Sequence, residues 1–537
     1  MRKLKISKTQ IYIIVIMLIG LGVRLTCCFW GYPFRLHPDE GSVVANTIDM
    51  LARQSWEANV YSRPDQFEIK SCAFLFQILS RVLYHMSAVD AWTDHQITFY
   101  IIARVYTTVL GTAMIPTAAI LIYYLFRNAE INIQRVQILS ALLIAFSPTL
   151  TLHSSYATPD IPLAFLTMLF GIFFVRYIQD GKMTDMILSG IVVGLAVSTK
   201  WPGAILCIFI AVMIIFRAVK ERKISHIFLY GCLSIILVLA ILFVMAPNLF
   251  TNIGQTVRDI SNEARSEHLG ADGLGVFGNI MFYLKIMLQN TGILAIIPSC
   301  AGIYWLVKKR RAEYLVIAIG GVWWICMSIL SLHWIRWCVP AYGIYFILVA
   351  IGITVMSTWL TKVRYIAWVI LGVILGNMCI LTLAQTKNVL STDSRIVAYD
   401  YCMANGITAE NSVSEGYTPF TMPFPFSIWR EFQKEDGKLT LTSEEYKDCK
   451  YLLVGSHYWY LYEENTEKYE EPLQVYDNLE NNYKLIYYLK ADNIYEGDSD
   501  NRDYSIWEIK NIIKSIKYLI RPVTATGFDI YIYDMEK

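Results

Sequence analysis

The sequence predicts an all-α polytopic membrane protein of about eleven transmembrane helices, followed at its carboxyl end by an extracytoplasmic α/β domain. Three observations carry that expectation. Of 537 residues, 55% are hydrophobic and 17% charged, whereas an ordinary soluble domain carries about 25% charge. Apolar runs of about 20 residues, the length that crosses a hydrocarbon core, recur along the first 385 positions. After about Ala384 these runs stop, and polar segments with strand-like alternation replace them.

Expected spans fall near 11–30, 97–126, 136–152, 161–178, 227–246, 290–307, 313–331, 338–356 and 365–385. The first follows Arg2, Lys3, Lys5 and Lys8 and has no small-residue cleavage site after it, so it reads as a span and not as a signal peptide. The region 186–216 needs a decision. One helix of that length would run roughly 46 Å, too long for most bilayers, and Lys200, Trp201, Pro202 and Gly203 interrupt it. Two short helices meeting at the break fit better. They also leave the basic clusters Arg127/Arg135, Arg217–Lys223, Lys308–Arg311 and Lys362/Arg364 on one side with the amino terminus, as the positive-inside rule requires. The plasma membrane is the expected location, with the amino end cytoplasmic.

Two outer loops result, 32–95 and 247–289. In the first, residues 71–89 carry Phe74, Leu75, Ile78, Leu79, Val82 and Leu83 at helical spacing around Arg81, the pattern of an interfacial helix. Domain boundaries are therefore expected at 1–385 and 386–537. In the second domain Tyr451–Gly455 and Phe528–Tyr533 read as strands, and the aromatic run 456–460 suits either a core or a membrane-facing belt.

Composition also excludes. A net charge of +2 gives no basic field for nucleic acid. Eleven scattered cysteines form no CxxC pairs. No P-loop, no GxGxxG after a strand and no HExxH is present, which removes soluble-nucleotide chemistry.

The outer face, by contrast, collects ionisable residues at span ends. Asp39 and Glu40 follow the first span, and Asp160 opens the fourth. Acids this close to a membrane cost free energy unless used or paired. They suit general-base work and substrate orientation, or, as acids at helix starts, N-capping. Lys70, Lys200 and Arg336 are cations on the same face, placed for an anionic group such as a lipid phosphate or for snorkelling to headgroups. Arg24, inside the first span, has the same two readings. Glu267 and His268 lie in a charged stretch of the second outer loop, where a salt-bridged solvated helix, a substrate contact and a metal contact all remain open.

With these residues in order, the chain resembles the GT-C fold glycosyltransferases, nearest to the protein O-mannosyltransferase and aminoarabinose-transferase superfamily. The likeness rests on Asp39-Glu40, on Thr158-Pro159-Asp160, on Thr199-Lys-Trp-Pro-Gly203, on Arg336-Trp-Cys-Val-Pro340, and on Asp393-Ser-Arg395, Asn405-Gly406 and Glu415–Pro419 beyond the last span. It implies a polyprenyl-phosphate sugar donor and an acceptor hydroxyl on protein, lipid or glycan. Asp39 would be the base, Asp160 the second acid, and Lys70 a donor-phosphate ligand. The prolines that follow this lysine in the family are Ser71 and Cys72 here, and the acid that precedes it in the aminoarabinose branch is Ile69. A divalent metal is admitted but not required: cations can stabilise the leaving phosphate while Asp39 activates the acceptor for a single inverting displacement. A transporter or flippase of a lipid-linked substrate is the rival reading, since intramembrane charge also marks transport paths.

Overall fold

The structure, a computed structural model, describes residues 6–263, 274–359, 364–421, 432–435, 438–441, 449–463, 466–494 and 505–536. It divides into two compact units. One comprises Met1–Cys28, Asp39–Thr382 and Ser505–Ile513; the other comprises Phe29–Pro38, Leu383–Tyr504 and Lys514–Lys537.

The first unit is helical. Among the described residues, eight helices are long and apolar enough to cross a membrane, and up to ten spans result when each of two bent pairs is one span. The shorter apolar helix Met183–Thr199 brings the number to the eleven expected. The first span, Lys8–Cys27, starts at a capping box: Gln10 N–H donates to Ser7 Oγ, and Ser7 N–H donates to Gln10 Oε1. Arg24 neither snorkels nor faces a phosphate. It is fully buried and donates to the carbonyls of Gly20, Ala145 and Ile144, so it satisfies the open end of the Ile133–Ala145 helix.

That helix and Pro148–Ser154 form one bent pair, broken by 58°. Asp160–Asp180 and Val339–Trp359 are buried along most of their length and form the centre of the bundle. The expected break in 186–216 is present. Met183–Thr199 ends at an extended Lys200 (φ −159°, ψ 141°), and a 3-10 turn over Trp201–Ile205 leads into Leu206–Glu221. Glycine is required at 203, because a Cβ there would sit 2.4 Å from the backbone carbonyl of Ala196. The region around 290 differs from expectation. Gly275–Thr291 is itself an apolar helix, and at Gly292 (φ +92°) the chain turns by 103° before it re-enters as Ile293–Lys309.

Outside the spans, the Gln66–Tyr84 helix leaves Phe74, Ile78 and Val82 exposed one turn apart while Ile69, Cys72 and Phe76 are buried. This is the one-sided pattern of an interfacial helix.

The second unit has a four-stranded sheet in the order β1-β4-β6-β5, made of β1 (Ser412–Ser414), β4 (Tyr451–Gly455), β5 (Lys484–Leu489) and β6 (Ile530–Asp534). A separate hairpin pairs β2 (Phe432–Glu435) with β3 (Lys438–Leu441). β1 runs parallel to β4, while β6 is antiparallel to both of its neighbours, with Leu453 opposite Ile532. The aromatic run 456–460 lies in a helix, Ser456–Glu463, with Tyr458 and Tyr462 buried against the core. Asp393 caps the Ser394–Ala404 helix and pairs with Arg395, which donates to the Leu36 carbonyl. Glu415, fully buried after β1, accepts from Tyr476 Oη and the Gly455 N–H.

Candidate active site

Five segments of the first unit bring charged side chains together: the start of the Glu40–Ala52 helix, the loop before Gln66, the start of Asp160–Asp180, the break at Lys200 and the turn Ile335–Cys338. Asp39 occupies an N-cap position, yet its carboxylate makes no capping bond. Oδ2 instead faces two guanidinium groups, Arg336 at 3.1 Å and Arg63 at 3.4 Å. All three side chains keep between a fifth and a quarter of their surface open.

Asp160 is not the cap of its helix but its first residue, after an N-cap at Pro159. Its carboxylate accepts from Lys200 Nζ at 2.7 Å, and both side chains are buried. The loop is fixed beside this pair through its backbone. Asp65 N–H donates to the Thr199 carbonyl, and Trp201 Nε1 donates to the Ser62 carbonyl. That docking aligns Arg63, whose Nε also donates to Asp65 Oδ2 at 2.8 Å. Ser42 Oγ donates to the same oxygen. The sequence-predicted residues Asp39, Asp160, Lys200 and Arg336 thus share one site with Arg63 and Asp65.

Glu40 sits differently. It is fully buried and takes both Nε and NH2 of Arg104, at 2.8 and 2.7 Å, and the Ala157 N–H at 2.9 Å. Arg104 also donates to the Cys28 carbonyl. One carboxylate therefore ties the segment after the first span, the Ala88–Phe126 helix and the turn before Asp160. With these bonds made, Glu40 can hold Asp39 and Asp160 in place but presents no free face to a substrate.

Lys70 points to other partners: the Trp56 carbonyl, Gln66 Oε1 at 2.9 Å, Met50 Sδ at 3.4 Å, and the face of the Trp56 ring. Burial brings its ammonium down to about 8, with Glu57 opposing the shift. Beside it Glu68 is fully buried and accepts from Thr107 Oγ1, while its second oxygen has no hydrogen-bond partner among the described residues. Burial, with Asp65 nearby, pushes its carboxyl well above the ordinary range. Glu267 and His268 lie outside the described residues.

Among the described residues no three His, Cys, Asp or Glu side chains converge as a metal ion would need. Asp39, Asp65 and Asp160 each face a cation instead. The acids described at the site are thus each matched to a positive side chain.

Arg63, Asp65, Glu68 and Arg104 were not singled out from the sequence. Arg104 carries a usable signal, a lone charge within the apolar run 97–126. The other three lie in a polar loop where spacing distinguishes nothing.

Residues 112–247 match the dolichyl-phosphate-mannose-protein mannosyltransferase family. No curated protein sequence matches the chain. The oligosaccharyltransferase of Archaeoglobus fulgidus in its apo form superposes with a TM-score of 0.53 at 11% identity, covering 99% of this chain and 89% of that one. The archaeal oligosaccharyltransferase AglB from Archaeoglobus fulgidus, in complex with an inhibitory peptide and a dolichol-phosphate, gives 0.52 at 11% identity, covering 98% and 88%. ArnT from Cupriavidus metallidurans bound to undecaprenyl phosphate gives 0.44 at 14%, covering 74% and 72%. The fold is therefore that of the GT-C membrane proteins, and one segment of the first unit also matches a mannosyltransferase family.

Proposed function

We propose that this protein transfers one sugar from a polyprenyl-phosphate donor to an acceptor hydroxyl on the extracytoplasmic face, with inversion. The observation that carries the reading is Asp39, a partly exposed carboxylate held between Arg63 and Arg336 at span ends, next to the Asp160–Lys200 pair. A lipid phosphate is the anion such guanidinium groups bind in bidentate fashion, and its developing charge on departure is what fixed cations stabilise.

In the resting arrangement the two arginines hold the Asp39 carboxylate in place. A donor phosphate drawn to Arg336 and Arg63 would compete for them and leave that carboxylate freer to take the acceptor proton. The acceptor oxygen then attacks the anomeric carbon opposite the phosphate. One C–O bond forms as the sugar–phosphate bond breaks, the phosphate leaves with the electron pair, and Asp39 keeps the proton. Lys200, held by Asp160, supplies a further positive charge at the site. Lys70 belongs to this reading as a donor ligand only if its side chain leaves Trp56 and Gln66. The basic residues Arg217–Lys223 and Lys308–Arg311, at the opposite ends of the spans, support an extracytoplasmic site.

The test uses protein in nanodiscs, a panel of labelled polyprenyl-phosphate monosaccharides and an envelope extract as acceptor. Release of sugar from one donor, lost in Asp39→Asn, is expected. Undiminished turnover in Asp39→Asn, or a product of retained anomeric configuration, overturns the mechanism. Donor moved across the bilayer without bond cleavage would favour a flippase.

A further inference from the structure

The helix Glu508–Ile520 is amphipathic with its faces reversed. Ile509, Ile513, Ile516 and Ile520, spaced four, three and four residues apart, form one exposed stripe, and Trp507 beside them is 60% exposed. The buried side consists of Glu508, Asn511, Ser515 and Tyr518. A helix on a water-exposed surface would turn these two faces the other way.

Its two ends are tied to the ends of spans. At the amino end, Glu508 Oε1 accepts from the Leu294 N–H at 2.5 Å, and Ile293 N–H donates to the Ile506 carbonyl at 2.9 Å. Residues 293–295 form the turn from which Ile296–Lys309 enters the bundle. At the carboxyl end, Lys387, in the last turn of the Arg364–Leu390 span, donates to the carbonyls of Tyr518 and Leu519 at 2.9 and 3.0 Å. Counting crossings places Leu390 on the face that carries Asp39 and Arg336, and Ile293 begins the arm of the bent pair that runs to Lys308–Arg311 at the opposite face. The thirteen residues are about 20 Å long, and each end is tied to residues of its own compact unit.

We infer that Glu508–Ile520 is a membrane-surface anchor, its isoleucine stripe and Trp507 seated at the headgroup–acyl boundary of the adjoining leaflet. Lys510, Lys514 and Lys517 follow one another along a single flank of the stripe. From there their ammonium groups reach lipid phosphates while their stems stay in apolar surroundings. The favoured occupant is anionic phospholipid. The inference is independent of the sugar-transfer reading.

The experiment places benzoylphenylalanine singly at Ile509, Ile513, Ile516 or Ile520 in the full chain, in nanodiscs of mixed phosphatidylcholine and phosphatidylglycerol. Glu470, exposed on another helix, serves as the control position. Irradiation is expected to give lipid adducts at the four stripe positions and none at 470. Phosphatidylglycerol should be enriched in the adducts, with the enrichment falling in high salt and in the triple variant Lys510→Gln/Lys514→Gln/Lys517→Gln. Adducts to protein, whether a second copy or another chain, overturn the inference, as do equal lipid yields at stripe and control. Oxidative footprinting of the unaltered protein in nanodiscs supplies a reading that needs no variant. Protection of Trp507 is expected, and oxidation at the rate of a freely exposed tryptophan refutes it.

Discussion

The buried pair Glu40–Arg104 separates structural from chemical roles in the Asp39-Glu40 dipeptide. Both side chains are fully buried, joined by two hydrogen bonds of 2.7 and 2.8 Å, with the Ala157 N–H on the same carboxylate. Removing one partner leaves the other charge buried and uncompensated, at a cost of about 3–5 kcal/mol. Glu40→Ala also orphans the Ala157 N–H, which adds about 1–3 kcal/mol. Glu40→Gln keeps one acceptor oxygen, but its amide NH2 would face a donor where both Glu40 oxygens now accept, and Arg104 stays uncompensated, so it too should cost about 3–5 kcal/mol. Replacing both partners by apolar residues of similar size, Glu40→Leu with Arg104→Met, removes both uncompensated charges and is expected to be closer to neutral than either single change. The assay is thermal unfolding in nanodiscs of wild type, Glu40→Leu, Arg104→Met and the double variant, with the coupling energy taken from that cycle, and of Glu40→Gln beside them, with sugar release measured in parallel. Both single variants should melt well below wild type, and the double variant should recover stability and a measurable share of activity. A Glu40→Gln protein that melts like wild type yet turns over no donor would refute the reasoning and make Glu40 a catalytic group.

Asp39→Asn should leave the melting temperature nearly unchanged, because its partners are partly solvated, and should lower the rate of sugar release about 10²- to 10⁴-fold; a large loss of stability would show that the carboxylate mainly holds the fold. Gly203→Ala places a Cβ against Ala196 backbone that cannot yield, costing about 1–3 kcal/mol and displacing Lys200, so a lower melting temperature and weaker donor binding are expected, and a wild-type melting curve would disprove the close approach. Lys70 titrates near 8 when folded against 10.5 in the open chain, so the unfolded chain binds more protons between those values and stability should rise with pH across that window. Melting temperatures from pH 7 to 10 should therefore show a rise that Lys70→Met flattens, and identical profiles for the two proteins would mean that Lys70 is solvated.

The spans, the break at Lys200–Gly203 and the one-sided helix Gln66–Tyr84 were readable because each is a local property of the chain: the length of an apolar run, a proline and glycine inside one, a charge on one side of a stripe. Strict alternation of crossings then placed Asp39, Asp160, Lys200 and Arg336 on one face before any packing was known. Partners were not readable in that way. The sequence assigns a residue to a side of the membrane, but which neighbour it meets depends on how each helix is rotated and on which loop docks beside it. Asp39 and Glu40 are adjacent in sequence, yet one faces Arg63 and Arg336 in a solvated site while the other is sealed against Arg104. The difference arises because the Glu40–Ala52 helix turns successive side chains about 100° apart. Arg24 looks like a headgroup-seeking residue until the end of the Ile133–Ala145 helix packs beside it and offers its carbonyls. Lys70 has the charge for a phosphate, but Trp56 and Gln66 fold back over it. Composition and hydropathy thus determined that this chain has the spans of a membrane protein and that its ionisable residues gather at span ends. Only the tertiary structure decided which charges neutralise one another and which remain open, because pairing in a low-dielectric interior depends on separations of a few ångströms between elements far apart in sequence.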